Sequence, residues 1–170
     1  MVLVDGATGD VVIEPDPEVI EARTQMARRV GEAAASWTGP GGTADGHRVE
    51  ILANVQDGAS SQNAAQKPVE GVGLFRTELC FLDRDTEPSV EEQARIYADV
   101  LGPMGQRKVV VRTLDAGSDK PVAFATIPDE PNPALGVRGM RLGMRDEGLL
   151  DRQLEAIAAA AKDATAPVWV

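Results

Sequence analysis

Four short apolar runs, each separated from the next by a helix-length stretch, limit what this chain can fold into: Val49–Val55, Gly71–Phe75, Lys108–Val111 and Val168–Val170. Short, partly β-branched runs bounded by turn residues read as buried strands. Strands that alternate with helices imply a parallel sheet joined by right-handed crossovers. Two of the runs end alike. Gly71-Val72-Gly73-Leu74-Phe75-Arg76-Thr77-Glu78 and Val109-Val110-Val111-Arg112-Thr113-Leu114-Asp115 both close on Arg-Thr, with an acid just beyond. In parallel α/β folds ligands bind where the strands stop. Two guanidiniums at neighbouring strand ends would form a fixed, multiply donating anion clamp. The competing reading is two structural arginines neutralised by Glu78 and Asp115.

The remaining elements follow from periodicity and punctuation. Residues 1–14 read as a β hairpin turning at Asp5-Gly6-Ala7-Thr8-Gly9. Pro15-Asp16-Pro17 starts a helix in which Val19, Met26, Val30, Ala33 and Trp37 recur at helical spacing. That helix is either a linker between domains or an ordinary amphipathic helix of one domain. Residues 38–46 are Gly-rich and read as a hinge loop. A short helix is expected over Ala59–Gln66. Ser89-Val90-Glu91-Glu92 reads as a capping box, and Val90, Ala94, Tyr97 and Leu101 follow on one helical face before Gly102-Pro103. Residues 116–139 form a long Gly-, Pro- and Asp-bearing loop, a length usually associated with function. Leu150, Leu154, Ile157, Ala158 and Ala161 mark the last helix.

Composition narrows the function classes. A net charge of −10 argues against a nucleic-acid or anionic-membrane surface. It leaves an anionic small molecule open, because a local arginine cluster overrides the global sign. One cysteine excludes an internal disulfide and fits a reducing cytoplasm. No signal peptide and no apolar run of about 20 residues is present, so a cytoplasmic location is expected.

The motifs, taken in order, resemble enzyme I of the bacterial phosphotransferase system, the phosphoenolpyruvate-protein phosphotransferases. Gly71–Glu78, Phe81-Leu82-Asp83-Arg84-Asp85 and Glu91-Glu92-Gln93 carry the first part of the resemblance. Val111–Asp115, Asp119-Lys120 and the stretch from Glu130 to Leu142 carry the rest. The resemblance implies a phosphoenolpyruvate (PEP) site with Mg²⁺ at the C-terminal mouth of a (β/α)8 barrel. It implies a histidine on a separate swivelling domain that takes the phosphoryl group and hands it to a small phosphocarrier protein in sugar uptake. Carried over residue by residue, Arg76 and Arg112 hold the substrate, and Arg138 of Leu135-Gly136-Val137-Arg138 matches a third active-site arginine. Residues 1–14 then correspond to the end of the phosphohistidine (swivel) domain, 15–46 to the linker helix and hinge, and 47–170 to the N-terminal half of the PEP-binding barrel.

Several parts of that machinery have no counterpart here. The only histidine, His47, stands in Asp45-Gly46-His47-Arg48, not in the Gly-Gly-x-x-Ser-His type of loop that the family phosphorylates. No catalytic residue and no metal ligand is assigned, since the family's Mg²⁺ ligands come from later strands. Glu78 and Asp115 could hold Mg²⁺ through waters or pair with the arginines. Cys80 does not match the family's proton donor. A full barrel takes about 250 residues, more than the 170 present, and Val168-Trp169-Val170 ends inside an element. The expectation is therefore half a barrel that belongs to a longer protein or is completed by a second chain, and that is inactive alone. The alternatives are a piece of a pyruvate phosphate dikinase or PEP synthase relative, or a non-catalytic remnant that binds anions or a partner.

Overall fold

The computed structural model describes residues 1–82, 84–117, 121–127 and 129–170. Asp83, Asp119 and Lys120, three residues of the motifs above, lie outside them. The chain divides into two compact units, Met1–Gly39 and Pro40–Val170.

In the first unit, β1 (Val2–Val4) and β2 (Val11–Ile13) pair antiparallel as the expected hairpin. Asp5 shapes its turn by accepting from the Ala7 backbone N–H at 2.9 Å. Helix α1 runs Pro17–Ala35, so Trp37 falls beyond it rather than on its last turn. The Asp5 carboxylate also takes Arg23 of α1 at 2.8 Å, which ties hairpin and helix together.

The second unit is a four-stranded parallel sheet with helices in its crossovers, the order expected of a partial (β/α) barrel. Its strands are β3 (Leu52–Val55), β4 (Gly71–Arg76), β5 (Lys108–Arg112) and β6 (Val168–Trp169), adjacent in chain order. Between them come α2 (Gly58–Ala65), α3 (Val90–Leu101), and then α4 (Met140–Arg145) with α5 (Glu147–Lys162). Val55, Val72, Phe75, Val109 and Val111 turn to the helices and are buried with Tyr97, Val100 and Leu101 of α3 and Ala156 and Ile157 of α5. Phe75 meets Tyr97 edge to face, centroids 5.7 Å apart. The opposite sheet face carries Leu52, Leu74, Val110 and Trp169, and Trp169 is 61% exposed.

Strand β4 is irregular in a way that decides its geometry. Val72 pairs with Val109 but Phe75 pairs with Val111, so β4 holds one more residue than β5 over the same span. Against β3 the same slip falls between the Ala53–Val72 and Asn54–Leu74 pairs. The extra residue common to both slips is Gly73. A bulge of this kind restores the face: Val72 and Phe75, three apart, would otherwise lie on opposite sides, yet both are fully buried toward the helices. Glycine is required there because a Cβ would stand 2.9 Å from Leu52 Cβ.

Two local expectations need correction, and a third gains detail. Ser89 Oγ accepts from the Glu92 N–H at 3.2 Å, but the Glu92 carboxylate turns to Arg84 at 2.7 Å, so only half of the capping box forms. The reciprocal box sits instead on α2, where Asp57 accepts from Ser60 N–H at 2.7 Å and Ser60 Oγ accepts from Asp57 N–H at 3.0 Å. In α5 the buried face is Leu149, Gln153, Ala156, Ile157 and Ala160. Leu154 and Ala158 are exposed and Leu150 and Ala161 half-buried, because the buried face is rotated toward Gln153, a polar residue that an apolar repeat does not count. The segment between β5 and α4 is anchored as well as long: Ala116 and Val122 join the core, and Phe124 packs on Phe81 at 6.3 Å.

Candidate substrate site at the strand ends

Each strand of a parallel sheet ends at the same edge, so the residue that closes β4 and the residue that closes β5 must be compared in register. Arg76 is the partner of Arg112. The bulge brings them level. Without the extra residue the Val72–Val109 pairing would run on to set Phe75 against Arg112. Phe75 points into the helix layer, so Arg76 emerges on the other face, beside Arg112.

Beyond the strands the chain supplies countercharges. A short 3-10 turn over Thr77–Cys80, which periodicity did not reveal, swings Glu78 back under Arg112. Arg112 Nη2 pairs with Glu78 Oε1, and Arg112 Nη1 lies 3.6 Å from Asp115 Oδ2. Arg138 reaches the same carboxylate as a fork, Nε to Oδ1 at 3.1 Å and Nη2 to Oδ2 at 3.3 Å. Asp115 thus draws Arg138, 23 residues away in sequence, to the end of β5. All three sequence-assigned arginines are gathered at one edge, the first by register and the third through a shared acid. Arg76 is exposed and, among the described residues, makes no ion pair.

Among the described residues this edge gathers three guanidiniums, Arg76, Arg112 and Arg138, with the carboxylates of Glu78 and Asp115 paired to the last two, in a chain whose total charge is −10. Glu78 is 3% exposed, and burying a carboxylate is costly unless it is paired, as it is here with Arg112. Its Oε2 and the Arg112 Nε are buried without a hydrogen-bond partner among the described residues, leaving donor and acceptor capacity at this site. What the edge can do chemically is bind a small polyanion: guanidiniums match phosphate and carboxylate oxygens in pairs and do not titrate.

The residues fit Mg²⁺ poorly. Glu78 and Asp115 spend oxygens on arginines, and no group of three His, Cys, Asp or Glu stands together among the described residues. His47 lies in the turn before β3, exposed, its N–H donating to Thr43 Oγ1 at 3.1 Å. It is at the opposite edge of the sheet from the arginines. Cys80 is buried, and burial pushes its thiol up to about 11, which makes it a packing residue rather than an acid or nucleophile.

Sequence reading missed the polar core behind these strand ends. Gln93, Tyr97 and Gln153 are buried and hydrogen-bonded to one another and to Thr77. The only signal for them is a glutamine on what is otherwise the apolar side of each helix.

Comparison with known proteins bears on this arrangement. Residues 31–170 match the family described as PEP-utilising enzyme, PEP-binding domain. A phosphoenolpyruvate-protein phosphotransferase of Streptomyces coelicolor is 47% identical over 163 residues, covering 95% of this chain and 29% of that protein. One of Haloferax volcanii is 41% identical over 96% of this chain and 28% of its own length. A multiphosphoryl transfer protein of Rhodobacter capsulatus is 40% identical over 92% of this chain and 19% of its own. The chain thus spans under a third of the length of these relatives.

Proposed function

The chain belongs to the PEP-utilising enzyme family through its PEP-binding domain, and from that premise we propose that its strand-end arginines form part of a PEP site. The observation that carries the proposal is the β4–β5 register, which sets Arg76 directly against Arg112. PEP carries a phosphate and a carboxylate on three carbons. Arg112, held by Glu78 and Asp115, serves as the oriented fork. Arg76, exposed and without an ion pair among the described residues, is the donor that follows the ligand. Arg138, docked on Asp115, supplies the third.

Residues 1–14, 15–46 and 47–170 take the roles of swivel-domain end, linker and first part of the barrel in this proposal. Across the whole family protein the activity is phosphoryl transfer from PEP to a histidine and then to a phosphocarrier protein. In such transfers the protein chiefly positions the group and stabilises its charge, which is what these arginines do. Mg²⁺ would be held by acids outside this set, so no step is assigned to it here. A cytoplasmic location follows from the substrate, a metabolite of that compartment. No helix among the described residues is long and apolar enough to cross a membrane.

Alone, the chain should bind PEP and transfer nothing, since its sequence has no Gly-Gly-x-x-Ser-His type of loop and, among the described residues, Glu78 and Asp115 are engaged by arginines. Exposed charge pairs contribute about 0–1 kcal/mol each, so affinity on the order of millimolar, about −4 kcal/mol, is expected. Titration with PEP, followed by amide chemical shifts, tests this. Arg76→Ala and Arg112→Ala should each weaken binding, added salt should weaken it further, and His47→Ala should leave it unchanged. Binding that survives both arginine substitutions would place the site elsewhere.

A further inference from the structure

Past the Arg76–Arg112 pair the backbone ladder of β4 and β5 stops, yet the two arginines keep a defined spacing only if the strands stay joined there. Side chains take over. Thr77 Oγ1 donates to the Arg112 carbonyl at 2.7 Å, a rung one residue beyond the last backbone pair. That hydroxyl accepts from Gln153 Nε2 of α5 at 3.1 Å. The second Nε2 proton goes to Tyr97 OH at 3.2 Å, and Gln153 Oε1 accepts the Leu114 N–H at 2.8 Å. Tyr97 OH donates in turn to Gln93 Oε1 at 3.0 Å, and Gln93 Nε2 to the Pro88 carbonyl at 2.9 Å.

The network has one direction throughout. Each hydroxyl gives one proton and takes one, and each amide uses both ends, so no member can rotate without leaving a buried group unpaired. Gln153, 2% exposed, grips the residue after Arg76 on one strand and the residue two after Arg112 on the other.

We propose that Gln153 and Thr77 are positioning residues for the anion clamp: through the Arg112 carbonyl and the Leu114 N–H they fix the relative placement of Arg76 and Arg112. The inference rests on the PEP reading above and adds to it a role for residues that touch no substrate. A clamp whose two halves are not held in register must be ordered by its ligand, which lowers affinity.

The test is a PEP titration of the full chain, by chemical-shift perturbation, in matched variants. Thr77→Val keeps shape and removes the hydroxyl; Thr77→Ser restores it. Gln153→Met keeps volume and removes three hydrogen bonds. Thr77→Val and Gln153→Met, both still melting cooperatively, should raise the Kd roughly tenfold, the scale of one buried hydrogen bond, while Thr77→Ser stays near the unsubstituted value. In an Arg76→Ala background Gln153→Met should add less than about twofold, because no pair remains to be aligned. If Gln153→Met does not melt cooperatively, the Thr77→Val and Thr77→Ser comparison decides. Unchanged binding in Thr77→Val, or an equal loss from Gln153→Met with and without Arg76, overturns the positioning role and leaves the PEP site standing. Absence of PEP binding by the unsubstituted chain overturns both.

Discussion

Arg76 and Arg112 look alike in sequence but should differ in what their substitution does to stability. The Arg112 side chain is about a third exposed, at 34%, while the side chain of its partner Glu78 is at 4%. Removing Arg112 strands a carboxylate that cannot reach water. Breaking a buried pair from one side costs about 3–5 kcal/mol. The partial exposure of Arg112 and the second acid nearby reduce that, so Arg112→Ala should destabilise the chain by about 2–3 kcal/mol. At roughly 2–4 °C per kcal/mol for a chain of this size, Tm should fall by about 5–10 °C. Arg76→Ala removes an exposed cation that makes no ion pair among the described residues and should change stability by less than about 0.5 kcal/mol. Urea unfolding at constant m separates the cases. The decisive variant is Arg112→Ala combined with Glu78→Gln. Removing the stranded charge should return much of the loss, although the PEP affinity stays low. A double variant as unstable as Arg112→Ala alone, or an Arg112→Ala chain as stable as the original, would refute the idea that Glu78 depends on Arg112.

Gly73→Ala should cost about 1–3 kcal/mol by overpacking against Leu52 and weaken PEP binding with it, read by urea unfolding and titration; a neutral effect would mean that the bulge is not needed for the arginine register. Asp57→Ala should cost about 1 kcal/mol by removing the α2 cap. The Ser60 N–H holds the Asp57 carboxyl below its ordinary 3.8, so the charged cap's contribution is full above that value and is lost as pH falls through the folded pKa. Asp57→Asn, which caps without titrating, should therefore approach the original chain in stability as pH drops from about 6 to about 3; a constant gap would count against it. Cys80, with its thiol pushed up to about 11 by burial, should resist iodoacetamide near neutral pH until denaturant is added, and mass spectrometry of the native chain showing rapid alkylation would contradict the packing role.

Periodicity located the strands and helices because burial of one face per element leaves a repeat in the sequence. The ends of β4 and β5 were legible because Arg-Thr breaks two apolar runs, and the cap at Ser89 because its hydroxyl acts within four residues. Gln153 defeated the same method. Apolar repeats assign a glutamine to solvent, and only the approach of Thr77, Tyr97 and Leu114 from other elements gives it a dry position with its hydrogen bonds made. The short turn at Thr77–Cys80 escaped for a related reason, since its product, the Glu78–Arg112 pair, spans two strands.

The amino-acid sequence by itself determined that this chain would alternate strand and helix, that arginines would stand where two strands stop, and that the result would belong with PEP-binding domains. Tertiary structure alone decided that those arginines stand side by side in register. One inserted glycine shifts the β4 register by a residue, and a shift of one residue changes both the neighbour and the face of every side chain after it. That choice depends on the fit of Gly73 against Leu52 and of Phe75 against Tyr97, contacts between residues separated in the chain and brought together only by packing.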